Sequence, residues 1–302
     1  MKKICLTISL LLLLSGFTPV SAKPAAIADE PMLVTAEWLA KHIDDKNLVL
    51  LHVGDKKEYD AGHIPGAQFI QRSDFSTPPG EGRLILQLPP VEQLKASFEK
   101  FGVSDNSRIV IYFSNKQITP AARVYFTLDY LGLGGKTSML DGGIDEWKKL
   151  GKPLTAEVKT PAPGKFTPRP NASLVVESAW LKENLNQPKI AVIDSRTANF
   201  YSGKDNAGMP RAGHLPGAKN LPFPTLMISD TDMKLKDLTA LKKMYQEAGA
   251  DKDKTVVTYC HIGQQASLGY FVAKMLGYNA KLYDGSFDEW SRNESWPIEV
   301  VK

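Results

Sequence analysis

The most constraining feature of this chain is that its two halves repeat the same phrases in the same order. AGHIPGA at 61–67 returns as AGHLPGA at 212–218, and DGGIDEW at 141–147 returns as DGSFDEW at 284–290. Between these phrases, each half carries an apolar strand pattern, RIVIYF or TVVTYC, and then a helical pattern, AARVYFTLDYLG or ASLGYFVAKMLG. Phrases that match in a fixed order predict a duplicated domain.

The order of the patterns predicts the fold class of each copy. Strand patterns that alternate with helical patterns are typical of an α/β domain with a mainly parallel sheet covered on both faces. A chain of 302 residues with 43% hydrophobic content is long enough for two such domains. We predict a first domain over 33–152, a proline-rich linker over 153–173 and a second domain over 174–302. In such sheets, functional sites form beyond the carboxyl ends of the strands.

Residues 1–22 have the features of a secretory signal peptide. Lys2 and Lys3 precede an apolar stretch over 4–17, and a small-residue cleavage site ends at Ala22. The stretch is shorter than the roughly 20 residues of a transmembrane helix, although an uncleaved N-terminal anchor is the alternative. We expect cleavage after Ala22 and a periplasmic or secreted protein with no membrane attachment. Cleavage removes two charges and lowers the formal charge from +4 to +2, too little to favour nucleic acid as a partner.

Cys260 is the one cysteine that remains after cleavage, because Cys5 lies in the leader. It opens the loop CHIGQQ between a strand pattern at 255–259 and a helical pattern at 266–276. Backbone N–H groups and the helix dipole favour an anion at such a junction, so we expect a lowered pKa and a nucleophilic thiolate. A lone thiol cannot form an internal disulfide, which argues against a dithiol oxidoreductase. An inert buried cysteine is the alternative.

Together, the repeated phrases and the six-residue cysteine loop resemble the rhodanese family of sulfurtransferases. This resemblance implies two tandem domains, each a mainly parallel five-stranded sheet with helices on both faces. It also implies an inactive first domain and a second domain whose cysteine is transiently persulfidated. Ser114 or Asn115 faces Cys260 in the first half, and neither is a thiol. The first half also lacks the counterparts of Asp194 and Arg196.

The resemblance implies a two-step sulfur transfer that needs no cofactor. Cys260 attacks the outer sulfur of a donor such as thiosulfate, and the persulfide then passes its sulfur to cyanide, a small thiol or a protein thiol. 3-Mercaptopyruvate is an alternative donor. A persulfide carrier without turnover, or a thiol-sensing interaction module, is the non-enzymatic alternative. A cysteine phosphatase is disfavoured because Ala266 stands where that class has an arginine.

We predict that the donor is bound by the cysteine loop and by one cation outside it. The predicted donor-binding residues are Arg196, His261, Ile262, Gly263, Gln264 and Gln265, and the supporting residues are Asp194, Asp284 and Ser286. Because CHIGQQ contains no lysine or arginine, Arg196 is the best candidate to grip a sulfonate; a salt bridge with a nearby carboxylate is the alternative.

Other polar residues receive weaker predictions. We expect Asp194 to anchor loop N–H groups, and His261 to face outward in a modulatory role. Arg211 is a second candidate cation, beside an insertion over 197–210 that could form a lid. His63 and His214 each lie in a Gly-His-x-Pro-Gly turn without a second ligand at metal spacing, so we interpret them as structural and predict no metal site.

Overall fold

The computed structural model describes residues 31–78, 80 and 84–301. The predicted leader over 1–22 lies outside these residues. Within the described part of the chain, no helix is long and apolar enough to cross a membrane.

The first domain is built on a five-stranded parallel sheet in the order β1-β5-β4-β2-β3. The strands are β1 Leu33–Val34, β2 Leu48–Val53, β3 Gln68–Phe69, β4 Arg108–Phe113 and β5 Thr137–Leu140. The helices are α1 Ala36–His42, α2 Lys56–Ala61, α3 Val91–Lys100, α4 Ile118–Tyr130 and α5 Ile144–Lys149. The central strands β2 and β4 are almost continuously buried, as expected for a parallel sheet covered on both faces.

The second domain repeats this plan with four strands in the order β7-β6-β8-β9, all parallel. The strands are β6 Ile190–Asp194, β7 Lys219–Asn220, β8 Thr255–Tyr259 and β9 Asn279–Leu282. The helices are α6 Ser178–Asn184, α7 Ala198–Ser202, α8 Leu238–Glu247, α9 Gln264–Met275 and α10 Ser286–Arg292. A single bridge between Val175 and Leu282 takes the place of a fifth strand. The predicted fold class is therefore confirmed, and this sheet is one strand narrower than expected.

The two domains share a hydrophobic core through α4 and α9. Tyr125 packs edge-to-face on Phe271 at 4.8 Å between ring centroids, and Phe126 packs in the same way on Tyr270 at 4.9 Å. Each helix carries a Tyr-Phe pair, and the tyrosine of one helix meets the phenylalanine of the other. This exchange gives the contact an approximate two-fold symmetry. Because this core is continuous, α4 and the start of α9 hold fixed positions relative to each other.

The segment that follows the first domain runs across that domain without helix or regular strand. Thr155 forms a bridge with His63, Phe166 is buried in the shared core, and the Asn171 N–H bonds the Tyr130 carbonyl. This segment connects the domains and is also tied to the first.

The two histidines of the repeated turns are held by stacking and by backbone bonds. His63 stacks on Tyr59 at 3.8 Å and bonds its carbonyl through Nδ1 at 2.7 Å. His214 stacks on Tyr201 at 3.8 Å and bonds that carbonyl in the same way. Both rings therefore fix the turns, in agreement with the structural interpretation.

Candidate active site

Cys260 lies at the carboxyl end of the second sheet, directly after β8. Tyr259 pairs with Asp194 of β6, so the cysteine stands beyond two central strands. Helix α9 begins at Gln264, two residues earlier than predicted, so the cysteine loop is a tight connection of four residues. This is the edge of a parallel sheet where functional sites form.

The Cys260 sulfur is enclosed by backbone N–H groups. The cysteine has no exposed surface, and the backbone N–H groups of Ala266, Ile262, Gln265 and Gly263 lie close enough to its side chain to favour the charged form and to act downward on its pKa. Such a cradle holds a negatively charged sulfur without a charged side chain.

The acidity of the Cys260 thiol differs from the sequence prediction. Burial raises the pKa of Cys260, and the four N–H groups oppose that rise without overcoming it. The prediction that the pKa of Cys260 is lowered is therefore wrong. The loop contains no lysine or arginine to stabilise the thiolate, and the sulfur is withdrawn from water, which disfavours the charged form.

Gly263 is required by the shape of the loop. Its φ of +85° lies in the left-handed region, where a side chain is strained. A Cβ at this position would lie 2.9 Å from Asp284 Oδ1 and 3.1 Å from Arg123 Nη1. The glycine therefore allows both the turn and the close approach of a buried ion pair.

Ser286 fixes the backbone of the cysteine. Its hydroxyl accepts a bond from the Cys260 N–H at 3.2 Å and donates to the Tyr283 carbonyl at 2.8 Å. The Phe287 N–H bonds the Cys260 carbonyl at 3.0 Å. Ser286 thus holds the Cys260 backbone in position through its hydroxyl.

Arg196 and Asp194 form a buried ion pair. Arg196 Nε lies 3.0 Å from both carboxylate oxygens of Asp194, and Nη2 bonds Oδ2 at 2.6 Å and the Gly213 carbonyl at 2.7 Å. The Asp194 carboxylate also accepts a hydrogen bond from the Arg196 backbone N–H at 2.9 Å. The structure therefore shows Arg196 in the salt bridge that was the alternative to sulfonate binding. The guanidinium of Arg196 is fully buried.

His261 is half-buried and does not face outward as expected. Its ring packs edge-on against Phe200 at 4.6 Å between centroids. Burial, with the positive charge of Arg196, lowers the pKa of His261 to about 4. The imidazole is therefore neutral at neutral pH and adds no cation to the loop.

The two glutamines that begin α9, Gln264 and Gln265, point to different surroundings. The Gln264 amide donates to Thr119 Oγ1 and its carbonyl accepts from Arg72 Nη2, both at 3.5 Å and both from the first domain. Gln265 Oε1 is buried and has no hydrogen-bond partner among the described residues. Ile262, half-buried, contributes its backbone N–H to the sulfur.

The first domain reaches the site through a buried arginine that the motifs of the sequence do not mark. Arg123 of α4 pairs with Asp284 and donates to the Leu86 carbonyl at 2.6 Å, and the Leu88 N–H bonds Asp284 at 3.1 Å. A charged residue within the otherwise mostly apolar α4 pattern is a signal for such a partner, because a buried charge must be paired. Asp284 therefore joins the domains.

The corresponding site of the first domain has no thiol. Phe113 pairs with Val53 as Tyr259 pairs with Asp194, so the sheet register places Ser114 at the position of Cys260. Ser114 Oγ donates to Glu58 at 2.6 Å and lies 3.3 Å from His52 Nε2.

Arg211 binds the backbone at the end of α10 and not the cysteine loop. Its guanidinium donates to four backbone carbonyls, those of Trp290, Ser291, Asn293 and Trp296. The prediction that it is a second cation of the site is therefore wrong; this guanidinium caps the C-terminus of α10 and the turn that follows. Within the described ranges, no group of three or more His, Cys, Asp or Glu side chains is placed to hold a metal ion.

Comparison with known proteins agrees with this architecture. The model of the rhodanese-like domain matches residues 35–150 and again 177–293. The chain is 32% identical to the sulfur carrier protein TtuD of Thermus thermophilus, with 90% of this chain and 97% of TtuD covered. It is 30% identical to the thiosulfate sulfurtransferase of Azotobacter vinelandii, with 90% and 98% covered.

Solved structures show the same fold. The 3-mercaptopyruvate sulfurtransferase SseA of Escherichia coli superposes with a TM-score of 0.74 at 26% identity, over 85% of this chain and 99% of SseA. An anaerobic ergothioneine biosynthesis enzyme from Chlorobium limicola superposes with a TM-score of 0.79 at 22% identity, over 90% and 71%. With two matches to the rhodanese-like domain and the fold of SseA, this chain belongs to the rhodanese family as a tandem-domain member.

Proposed function

We propose that this protein is a sulfurtransferase that moves a sulfane sulfur from thiosulfate, or a related donor, to cyanide or a thiol through a Cys260 persulfide. The observation that carries the proposal is the position of Cys260, which is fully buried between the end of β8 and the start of α9, among backbone N–H groups that favour its charged form. Both a thiolate and a persulfide are anions, so one cradle serves both states of the reaction.

The reaction proceeds in two displacements. The Cys260 thiolate attacks the outer sulfur of thiosulfate; the S–S bond of the donor breaks, and sulfite leaves with the electron pair. The acceptor then attacks the terminal sulfur of the persulfide. That S–S bond breaks, thiocyanate leaves when cyanide is the acceptor, and the thiolate is regenerated. Because the first product leaves before the acceptor reacts, the kinetics are ping-pong.

The raised pKa of Cys260 limits how much of the thiol is in its reactive, charged form. At neutral pH the resting thiol is largely protonated, so the reactive thiolate forms in the minor population that the N–H groups stabilise. When the thiolate does form, it repels an anionic donor, and a cation close to the cysteine loop reduces that repulsion. Thiosulfate and 3-mercaptopyruvate are both anionic donors, because the first carries a sulfonate-like group and the second a carboxylate.

A persulfide carrier is the second candidate function. The similarity to TtuD, which is named a sulfur carrier protein, favours it. Its acceptor would be a protein thiol rather than cyanide. Steady-state turnover of thiosulfate and cyanide tests the choice: many turnovers per Cys260 support the enzyme, whereas one sulfur loaded per chain without turnover supports the carrier.

We also propose that the protein is exported and acts in the periplasm or outside the cell. The basic start and the apolar stretch over 4–17 support this location. Expression of the full chain followed by N-terminal sequencing of the exported fraction tests it: a new N-terminus after Ala22 supports export, and an intact N-terminus in the cytoplasm contradicts it.

A further inference from the structure

The cysteine loop needs a cation for an anionic donor, and two nearby arginines are already occupied. Arg196 is buried and bonded to Asp194. Arg123 is buried between Asp284 and the Leu86 carbonyl. Neither guanidinium can turn to a donor without leaving a buried carboxylate unpaired, which carries a large free-energy cost.

Arg72 of the first domain is placed differently. It opens a short 3-10 helix, Arg72–Asp74, and its side chain is exposed. Its Nη2 lies 3.5 Å from Oε1 of Gln264, the first residue of α9. Among the described residues, no carboxylate lies within ion-pair distance of this guanidinium. Arg72 is therefore a cation at the rim of the cysteine loop whose charge is not neutralised.

The backbone that carries the exposed Arg72 side chain is fixed by its neighbours. The Gln71 N–H bonds the buried Asp74 carboxylate at 3.0 Å, and Lys100 pairs with the same carboxylate at 3.2 Å. Phe75, the next residue, is buried in the shared core. The guanidinium thus starts from a defined position beside the second domain.

The bond between Arg72 and Gln264 is easily exchanged. At 3.5 Å it is at the long limit of a hydrogen bond, and its acceptor is a neutral amide oxygen. A sulfonate or carboxylate is a stronger acceptor, because charge-assisted bonds to a guanidinium are about twice as strong as neutral ones and are often bidentate. An arriving oxyanion would therefore displace the amide.

We propose that Arg72 binds the anionic group of the sulfur donor and selects donors that carry an oxyanion close to the transferable sulfur. This inference rests on the proposed function, since it names the residue that holds the donor of that reaction. It also gives the first domain, which has no thiol of its own, a direct part in the active site.

Alkylation of Cys260 tests Arg72 without any sulfur transfer. Iodoacetate is anionic and iodoacetamide is neutral, but both alkylate the same sulfur. Arg72→Ala is expected to lower the iodoacetate rate about three- to tenfold and to leave the iodoacetamide rate unchanged, and Arg72→Lys should retain part of the preference. Lys57→Ala removes an equal charge from the exposed surface of α2 and serves as the matched control. An unchanged ratio in Arg72→Ala, or an equal drop in Lys57→Ala, overturns the proposal.

Steady-state kinetics separate this inference from the proposed function. In Arg72→Ala, the KM for thiosulfate is expected to rise about three- to tenfold, while the rate at which the persulfide reacts with cyanide stays constant. An unchanged KM in an active variant overturns the role of Arg72. If the unmodified protein does not turn over thiosulfate but the alkylation ratio still falls in Arg72→Ala, the proposed function fails and the role of Arg72 as an anion-binding residue stands.

Discussion

Arg123 of the first domain is paired with Asp284 of the second, and both side chains are buried beside the cysteine loop. The pair links α4 to the turn that precedes α10, and Asp284 also receives the Leu88 N–H. One buried carboxylate thus holds three parts of the molecule together. Through this contact, the first domain is a structural component of the candidate active site.

Breaking this ion pair is expected to destabilise the protein strongly. Asp284→Asn leaves the buried Arg123 charge without its partner, and we expect the free energy of unfolding to fall by about 3 kcal/mol. Asp145→Asn is the matched control, because Asp145 forms an exposed pair with Lys148 at 3.7 Å and should change stability by less than about 0.5 kcal/mol. Urea unfolding of both variants measures the difference, and equal midpoints would contradict the role of the buried pair.

Arg196→Ala is expected to act on stability more than on donor binding. The variant leaves Asp194 buried and unpaired, so we expect a loss of about 3 kcal/mol. In the protein that remains folded at low temperature, the KM for thiosulfate should change less than about twofold, because the guanidinium faces Asp194 and the Gly213 carbonyl. A large rise in KM with unchanged stability would instead place Arg196 on the donor.

Much of this site could be predicted from sequence because it is encoded locally. The run TVVTY forms β8, the cysteine follows it, and a helix follows the cysteine. The duplication also placed Ser114 or Asn115 opposite Cys260, and strand register then selected Ser114. Local periodicity and internal repetition carry this information without any knowledge of tertiary contacts.

The contributions of the first domain could not be predicted in this way. The contacts of Gln264 with Arg72 and Thr119 join residues far apart in the chain, and nothing in either local pattern encodes the pairing. The raised pKa of Cys260 was missed for a related reason. It depends on how completely the packed domains exclude water from the sulfur, and the loop sequence alone does not define that exclusion.

The pH dependence of Cys260 alkylation is expected to reflect burial. Because the pKa of the thiol is raised, the thiolate fraction and the rate of alkylation by iodoacetamide should increase with pH, with a midpoint above the value of about 8.5 for an exposed cysteine. Free cysteine in the same buffer series is the control. A midpoint at or below that of free cysteine would show that the N–H groups outweigh burial.

Gly263→Ala is expected to distort the cysteine loop. The new Cβ meets Asp284 Oδ1 at 2.9 Å in a left-handed backbone, so we expect Cys260 to load sulfur at least about tenfold more slowly. Gly277→Ala is the matched control, since Gly277 has a φ of +81° but, its chain neighbours aside, no atom of the described residues lies within 4 Å of its Cβ position. It should cost about 1 kcal/mol of stability and leave sulfur loading unchanged. Equal loading rates in the two variants would contradict the account of the loop.

The central claim is that Cys260 carries the transferred sulfur, and mass spectrometry of the intact protein tests it most directly. After exposure to thiosulfate and removal of the excess, the protein should gain the mass of one sulfur atom, located by peptide mapping at Cys260 and lost on addition of cyanide. Cys260→Ser, which preserves the bulk of the side chain, should fold, gain no mass and show no transfer. A sulfur atom on the Cys260→Ser variant, or transfer activity retained by it, would contradict the account.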